Sequence, residues 1–560
     1  MSNTEKKPLV KRVFGHRVFL PVVFFIVLIA VFVFSSQFTA RPPVVDAIAP
    51  PVGTPGSIMV ISGSNFGDTR QGGEVTIAGA RLTSTSYREW SDTRISVRIP
   101  ENVGSGQVFV TTRSGKSNGL LFTNRTHIPV ILSGPLKPGY PYISSIDPSE
   151  GTVGTLVTVS GLNFGFEKGG GKIYFTATGT SEESRSQTVD VLSDSIPDSE
   201  EDFDCESWTD QEIRVYVPDG AASGNIRIKT DRGMSNTVYF EVTGMPGTKL
   251  YTDSMGYQIA YGLELRNIQA EENNSLDVWF PGIYRGLKQR NIEVMNEPEP
   301  LWDNVHGLQR YRFDDLENGQ DVDIRATAWF ERYTIETNIS VARVPFSYNT
   351  DRTLYQVYTQ PNRMIPSDDE AVMRAASAAV GRERNPYLKA KRVYTHLLDT
   401  LQFTRTPAGT DPLSALETGE ADSYIYAVLF CAYLRGQGIP ARPVSGYLVY
   451  GDKIAVKYFW AEFYIEHFGW VPVDPALGDG AKYGNFPDST LIDTPNYYFG
   501  NLDNRHITFS RGLADVKPAG PDNEIIQRDR MYSLQTIFEE HSGITSYDAY
   551  YRDINIIEWW

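Results

Sequence analysis

Residues 419–474 form the stretch that most limits how this 560-residue chain can fold. Apolar residues occupy every side of a helix at 424–434, so this helix is predicted to be buried all round rather than amphipathic. Gly436 and Gly438 can end it, because glycine readily takes the left-handed conformation that closes helices. Strand patterns follow at 442–449, 454–465 and 470–473. The stretch therefore predicts one central helix followed by an antiparallel sheet.

Four motifs in this stretch resemble the transglutaminase-like superfamily, which has a papain-like core. They are Gly438-Ile439-Pro440-Ala441-Arg442, Ser445-Gly446-Tyr447, Trp460-Ala461-Glu462 and Gly469-Trp470-Val471-Pro472-Val473-Asp474-Pro475. The resemblance implies a catalytic triad: a cysteine at the start of the helix, a histidine on the next strand and an aspartate on the last. Counting from the motifs places Ser423 at the cysteine position and Tyr458 at the histidine position, and it keeps Asp474 as the aspartate.

Two of the three catalytic groups are therefore replaced. The nucleophile of such sites is a thiolate, which a helix N-terminus and a neighbouring imidazolium favour. The hydroxyl of Ser423 must instead pass its proton to a positioned base, normally a histidine. Tyr458 is a poor base, because the ordinary pKa of a phenol is about 10. The sequence predicts a domain without cysteine-type catalysis, in which Ser423, Tyr458 and Asp474 either line a binding cleft or form a hydrogen-bonded core trio.

No other nearby residue replaces the missing groups in an obvious way. On a strand, the side chain of Lys457 points to the opposite face from Tyr458. His467 lies in a predicted turn, and Cys431 lies over two turns inside an apolar helix, where a free cysteine behaves as a small hydrophobic residue. His396 adjoins the apolar face of an earlier helix, a position typical of a boundary histidine. The alternative hypothesis is a serine-based acyl transferase or peptidase that uses Ser423 with another base.

Charge and cysteine content exclude several classes of protein. The net charge is −16, and the first seventeen residues contribute +4, which leaves −20 on the remainder. Such an acidic chain lacks the basic face that a nucleic-acid partner requires. Its two cysteines, Cys205 and Cys431, fall in different predicted domains and show no metal-type spacing. We therefore expect no disulfide between them, no metal and no cofactor.

The N-terminal region predicts a membrane anchor. Residues 18–34 carry no charge and would span about 25 Å as a helix, enough to cross the hydrocarbon core of a bilayer. A basic segment at 1–17 precedes an anchor assigned to 18–36, so the positive-inside rule places the N-terminus in the cytoplasm and the bulk of the chain outside. A cleaved signal peptide is the alternative.

The next two domains repeat each other. Residues 50–67 match 148–165 at an offset of 98, and later positions, such as Trp90 and Trp208, match at an offset of 118. Repeats of this length with short alternating strands suit small β-sandwiches. Both copies, at 43–124 and 141–243, resemble IPT/TIG domains, an immunoglobulin-like family of spacers and of protein- or carbohydrate-binding modules. The second copy carries an insertion rich in Asp and Glu near 181–206, predicted to be a solvated or disordered loop, with a calcium loop as the alternative.

The remaining domains follow in order. Residues 249–348 show strand alternation and predict a further β-sandwich, and 349–512 form the transglutaminase-like domain. Residues 513–560 are predicted to be a linker, a helix at about 532–541 and an aromatic tail that docks on its own chain or acts as an interface anchor.

The predicted fold class is thus multidomain: a transmembrane helix, tandem immunoglobulin-like β-sandwiches, another β-sandwich and an α+β papain-like core. The corresponding function is a single-pass, extracytoplasmic pseudoenzyme that binds or scaffolds a protein or cell-wall ligand. The alternatives are the serine-based enzyme and a structural protein of envelope assembly.

Overall fold

The computed structural model describes residues 21, 23–29, 41–100, 103–124, 138–178, 195–305, 307–488, 492–512, 524–528 and 537–560. Residues 23–29 are helical, and the rest of the predicted anchor at 18–36 lies almost wholly outside the described residues. Within the described ranges, no helix is both long and apolar enough to cross a membrane. The chain divides into two compact units, the first containing the first repeat and the second containing the remaining domains.

The first repeat is a sandwich of two sheets. One sheet has the order β1-β3-β7-β6, and the other has the order β2-β10-β8-β4-β5 with β9 paired to β8. Alternating apolar residues from both sheets, such as Ile61, Val75, Ile95 and Val108, fill the core between them. The strands are β1 (Val44–Ala49), β2 (Val52–Gly53), β3 (Ile58–Ser64), β4 (Glu74–Ile77), β5 (Ala80–Arg81), β6 (Tyr87–Trp90), β7 (Arg94–Arg98), β8 (Gly106–Thr112), β9 (Gly115–Lys116) and β10 (Leu120–Asn124).

The second repeat has the same topology, strand for strand. Its sheets run β11-β13-β17-β16 and β12-β20-β18-β14-β15, with β19 paired to β18. The shared tryptophans make the same contact: the indole N–H of Trp90 donates to the carbonyl of Phe66, and that of Trp208 donates to the carbonyl of Phe164, both at 3.1 Å. The strands are β11 (Tyr142–Asp147), β12 (Glu150–Gly151), β13 (Leu156–Leu162), β14 (Lys172–Thr176), β15 (Ser195–Pro197), β16 (Cys205–Trp208), β17 (Glu212–Tyr216), β18 (Gly224–Thr230), β19 (Gly233–Met234) and β20 (Val238–Val242).

The acidic insertion of the second repeat is not simply solvated. Residues 179–194 lie outside the described residues, but Asp198, Asp202 and Asp204 are buried. The prediction of a solvated loop is therefore wrong for these three residues, although Glu200 between them is exposed. Arginines from the transglutaminase-like domain pair with two of the buried carboxylates: Arg442 contacts Asp202 at 2.6 Å and Arg352 contacts Asp204 at 2.9 Å.

The third domain is built on one seven-stranded sheet that includes the C-terminal tail. The order is β22-β25-β21-β24-β23, with β33 paired to β21 and β32 paired to β33. The strands are β21 (Gly247–Pro281), β22 (Gln289–Glu297), β23 (Trp302–Val305), β24 (Leu308–Asp314), β25 (Val322–Ile339), β32 (Glu524–Arg528) and β33 (Ile537–Trp559). The helix predicted at 532–541 is wrong for residues 537–541, because the backbone there pairs with β32 and, from Glu539, with β21. The aromatic tail thus lies on its own chain.

The transglutaminase-like domain packs helices against a four-stranded sheet. The helices are α1 (Thr353–Thr359), α2 (Glu370–Val380), α3 (Pro386–Thr400), α4 (Pro412–Thr418), α5 (Ser423–Gly436), α6 (Pro475–Gly478) and α7 (Thr494–Tyr497). The sheet order is β30-β29-β28-β31, formed by β28 (Ala441–Tyr450), β29 (Ile454–Ile465), β30 (Gly469–Val473) and β31 (His506–Arg511), beside a short pair of β26 (Gln402–Phe403) and β27 (Glu420–Ala421). Residues 423–435 of α5 are all buried, as its apolar sequence predicts.

Candidate functional site

Asp474 lies at the end of β30 and holds three neighbours. Its side chain caps α6 by accepting a hydrogen bond from the backbone N–H of Leu477 at 3.0 Å. The same oxygen accepts a hydrogen bond from the Tyr458 hydroxyl at 3.1 Å. Its other oxygen, Oδ2, lies 3.0 Å from Nε2 of His506. The retained aspartate therefore contacts the tyrosine that replaces the histidine, and it also contacts a histidine that the sequence reasoning missed.

His506 begins β31 and completes a buried chain of five side chains. Its Nδ1 lies 2.9 Å from Oδ1 of Asp503, and Oδ2 of Asp503 accepts a hydrogen bond from the Tyr498 hydroxyl at 2.9 Å. We call the series Tyr458, Asp474, His506, Asp503 and Tyr498 the buried chain. Tyr458, Asp474 and His506 are 0% exposed. Both ring nitrogens of His506 contact carboxylates, so the ring is held at both ends.

Charge within the buried chain favours a protonated imidazole. Burial acts to lower the pKa of His506, but the charge of Asp503 and the hydrogen bonds with Asp474 and Asp503 outweigh it, so the pKa lies above its ordinary value. Burial raises the pKa of Asp474, although His506 opposes that shift. The pKa of Asp503 is lowered: burial raises it, but the charge and hydrogen bond of His506, together with hydrogen bonds from Arg505 and Tyr498, outweigh burial. The imidazolium thus bridges two carboxylates.

The bridge predicts that stability depends on pH. Because the folded-state pKa of His506 is raised, its contribution is fully present below its unfolded pKa of about 6.5 and is lost as pH rises through the folded value. The raised pKa of Asp474 acts in the same direction. We therefore expect the unfolding temperature to fall from pH 6 to mildly alkaline pH. Thermal unfolding across this range measures the slope. His506→Gln should reduce it, with the remainder due to Glu201 and Asp204, whose pKa values burial raises to about 8; an equal slope in that variant would contradict the assignment.

Ser423 is the first residue of α5 and does not join the buried chain. Its neighbour Asp422 caps the helix, accepting a hydrogen bond from the backbone N–H of Ile425 at 2.9 Å. The serine is 6% exposed, and within the described part of the chain its hydroxyl makes no hydrogen bond with His506 or Tyr458. Among the described residues, Tyr458 and Asp474 are therefore joined by a hydrogen bond that does not include Ser423. With both ring nitrogens held by carboxylates, His506 is not placed as the base that a serine nucleophile requires.

The other candidate residues make contacts that are typical of structural rather than catalytic side chains. Lys457 lies 3.0 Å from Asp553 of the tail, and the backbone carbonyl of His467 accepts a hydrogen bond from Thr152. His396 packs against Tyr433 with ring centroids 6.1 Å apart. Burial raises the pKa of Cys431 to about 12, a value at which the thiolate is scarce. The other thiol, that of Cys205, has its pKa raised by burial to about 11.

An aromatic side chain covers the Tyr458 end of the buried chain. The ring of Tyr483 is 5.7 Å from that of Tyr458 and 5.5 Å from that of Tyr450, and Phe403 lies 6.1 Å from it on another side. Tyr483 is itself 5% exposed. A side chain of the same domain therefore fills the space beside the histidine position of the family.

A second buried polar cluster joins the second repeat, the third domain and the transglutaminase-like domain. The fully buried guanidinium of Arg442 lies 2.6 Å from Asp202 and 3.1 Å from Glu462, and its centre is 3.7 Å above the ring of Trp470. Glu462 also contacts Arg511 at 3.1 Å and pairs with Lys288. A cavity of about 60 Å³ lies beside Arg442 and is lined in part by Asp202, Lys288, Glu462, Trp470 and Arg511. Opposite charges balance one another here, which is typical of a packed domain junction rather than of a catalytic site.

In the described ranges, no group of three or more His, Cys, Asp or Glu side chains is arranged to hold a metal ion. The acidic insertion shows why. Asp202 and Asp204 face arginines, and Asp198 lies 2.8 Å from Lys168. Carboxylates that are already paired with cations are poorly placed to bind calcium.

Comparisons with known proteins identify three of the domains. Residues 374–475 match the transglutaminase-like superfamily, and residues 43–124 and 141–242 match the IPT/TIG domain. The chain therefore contains a transglutaminase-like domain preceded by two IPT/TIG domains, which confirms both resemblances drawn from the sequence motifs.

Relatives of known structure or function cover limited parts of the chain. Cyclomaltodextrin glucanotransferase of Paenibacillus macerans is 32% identical over 93 residues, which are 16% of this chain and 13% of that protein. The periplasmic domain of TgpA from Pseudomonas aeruginosa is 13% identical, with a TM-score of 0.25 over 44% of this chain and 92% of that one. SGBP-B of Bacteroides uniformis is 14% identical, with a TM-score of 0.13 over 52% of this chain and 99% of that one. The chain spans only 11–13% of the length of the curated relatives that it matches.

Proposed function

We propose that this protein is a single-pass, membrane-anchored protein of the extracytoplasmic space whose transglutaminase-like domain binds a protein or cell-wall ligand without catalysing a reaction. The charge-free segment at 18–34 and its basic flank support the anchor. The IPT/TIG domains and the third domain serve as spacers that hold the transglutaminase-like domain away from the membrane.

One observation carries the non-catalytic assignment. Catalysis in this fold needs a nucleophile and a base in contact, and the base must have a free nitrogen facing the nucleophile. His506 uses Nε2 for Asp474 and Nδ1 for Asp503. Ser423 has neither a thiol nor a contact with that imidazole. Tyr458 and Asp474 are thus joined with His506 in a hydrogen-bonded network, and Ser423 stands outside it.

The other candidate functions have less support. A serine-based acyl transferase or peptidase would need a base beside Ser423, whereas both ring nitrogens of His506 contact carboxylates. A purely structural role in envelope assembly would use the IPT/TIG domains as contact surfaces. In a pull-down with the intact chain, this role predicts that substitutions in the transglutaminase-like domain leave partner binding unchanged. Substitutions in the two repeats should abolish it.

We expect the full-length protein to show no amine incorporation into a glutamine-containing protein and no amide hydrolysis. A fluorophosphonate probe should leave Ser423 unlabelled, because no base activates its hydroxyl. Ser423→Cys should also stay inactive, since the thiol would still lack a free imidazole. Ser423→Ala is the matched control. Turnover by the natural protein that disappears in Ser423→Ala would overturn the proposal.

A further inference from the structure

Two arginines lie on aromatic rings at the surface of the transglutaminase-like domain. The guanidinium of Arg405 is 4.5 Å from the ring centre of Tyr483, and that of Arg505 is 5.3 Å from Phe486 and 5.5 Å from Trp559. Tyr483 and Phe486 exchange backbone hydrogen bonds of 2.8 and 3.0 Å, so both arginines flank one turn. We call this surface the arginine–aromatic patch; it consists of Arg405, Tyr450, Tyr483, Phe486, Arg505 and Trp559.

The two arginines of the patch have no salt-bridge partner among the described residues. Among the described side chains, no carboxylate forms a salt bridge with Arg405 or Arg505, and the hydrogen bond of Arg405 goes to the backbone carbonyl of Lys482 at 2.9 Å. These guanidinium groups stand on a protein with a net charge of −16. A guanidinium presents a fork of donors that matches a carboxylate, and stacking on a ring fixes its orientation. The patch is therefore suited to bind carboxylates of another molecule.

The patch also has an apolar component, and it lies over the former catalytic position. Tyr450, Phe486 and Trp559 are partly exposed, so their rings are accessible beside the charges. Tyr483 connects the patch to the interior, because its ring contacts that of Tyr458 in the buried chain. A ligand on the patch would thus be separated from Tyr458, at the histidine position of the family, by the ring of Tyr483.

We propose that the arginine–aromatic patch binds a polysaccharide that carries carboxylates, such as a chain of uronate residues. This inference rests on the proposed binding function and names its ligand class. Sugar rings present flat apolar faces to aromatic side chains, and carboxylates on successive sugars suit two arginines on opposite sides of one turn. An acidic peptide fits less well, because its carboxylates are on flexible side chains that lose more conformational entropy when they are fixed.

Titration calorimetry of the full-length protein with polygalacturonate tests the proposal, with amylose as the uncharged comparison. We expect binding of polygalacturonate alone, weakened by added salt. The double variant Arg405→Gln/Arg505→Gln should bind about tenfold more weakly or worse, because each lost contact is a charge-assisted hydrogen bond. Arg343→Gln, which removes an exposed arginine elsewhere in the second unit, is the matched control and should bind like the natural protein. Thermal unfolding of each variant verifies that it is folded.

Three results would overturn the proposal: no binding of polygalacturonate, equal binding by the double variant, or tighter binding of polyglutamate, which would assign the patch to acidic peptides. These results would leave the non-catalytic assignment intact, because that assignment is tested by turnover. Conversely, turnover that depends on Ser423 would overturn the proposed function even if polygalacturonate binds to the patch.

Discussion

Replacing His506 with alanine is expected to destabilise the transglutaminase-like domain by about 3–5 kcal/mol, the usual cost of removing one partner from a buried ion pair. The variant leaves the buried Asp474 and the partly buried Asp503 without the imidazolium that lies between them. At roughly 2–4 °C for each kcal/mol in a domain of this size, the unfolding temperature should fall by about 6–20 °C. Scanning calorimetry of the full-length protein measures the shift.

His396→Ala is the matched control for this change. His396 lies on α3, is only partly buried, and contacts Tyr433 without a carboxylate partner in the described part of the chain. We expect it to cost about 1 kcal/mol or less, as is usual for sites without buried networks. If His506→Ala unfolds at the same temperature as His396→Ala, the buried chain does not stabilise the domain.

The second large effect is expected at the domain junction, for Arg442→Ala. The fully buried guanidinium neutralises Asp202 from the second repeat and Glu462 from β29. It also opposes the burial that raises the pKa of Glu201 to about 8. Without Arg442 these carboxylates remain buried with less compensation, so we expect a loss of about 3–5 kcal/mol. Proteolysis within 195–208 should become faster, because the junction holds this segment in place.

Arg374→Ala is the comparison for the junction. Arg374 forms an ion pair with Glu370 on the surface of α2, where both side chains are exposed. Such a pair contributes about 0.5 kcal/mol or less. Calorimetry and timed digestion measure the stability and the proteolysis rate of both variants. Equal unfolding temperatures and equal digestion rates for Arg442→Ala and Arg374→Ala would show that the buried ion pairs do not hold the second repeat in place.

Short sequence patterns predicted the helices and strands whose conformation depends mainly on neighbouring residues. The apolar run at 424–434 predicted a buried helix, and the pattern at 454–465 predicted the strand β29. Both predictions were possible because burial and periodicity can be recognised within a short segment of sequence. The two repeats could be recognised because their turn and core residues recur in register. Asp474 and Tyr458 were found because motifs mark their positions.

Long-range partners explain what the sequence did not reveal. His506 is 32 positions beyond Asp474, in a segment whose composition gives no sign of a site. Asp202 and Asp204 looked solvated because their partners, Arg442 and Arg352, are 240 and 148 positions away in the sequence. Residues 537–541 were read as a helix, but the available edge of β21 decides their conformation, since strand formation depends on a partner more than on propensity.

The pairing of β21 with β33 also determines the order in which the chain can assemble during synthesis. Strand β21 of the third domain leaves the ribosome nearly three hundred residues before β33, the strand that pairs with it. The whole transglutaminase-like domain is made in between. During that time the edge of β21 stays unpaired, a state that favours association with other chains. Nascent chains that stop before residue 537 should therefore recruit chaperones, and release of the remaining residues should end that dependence.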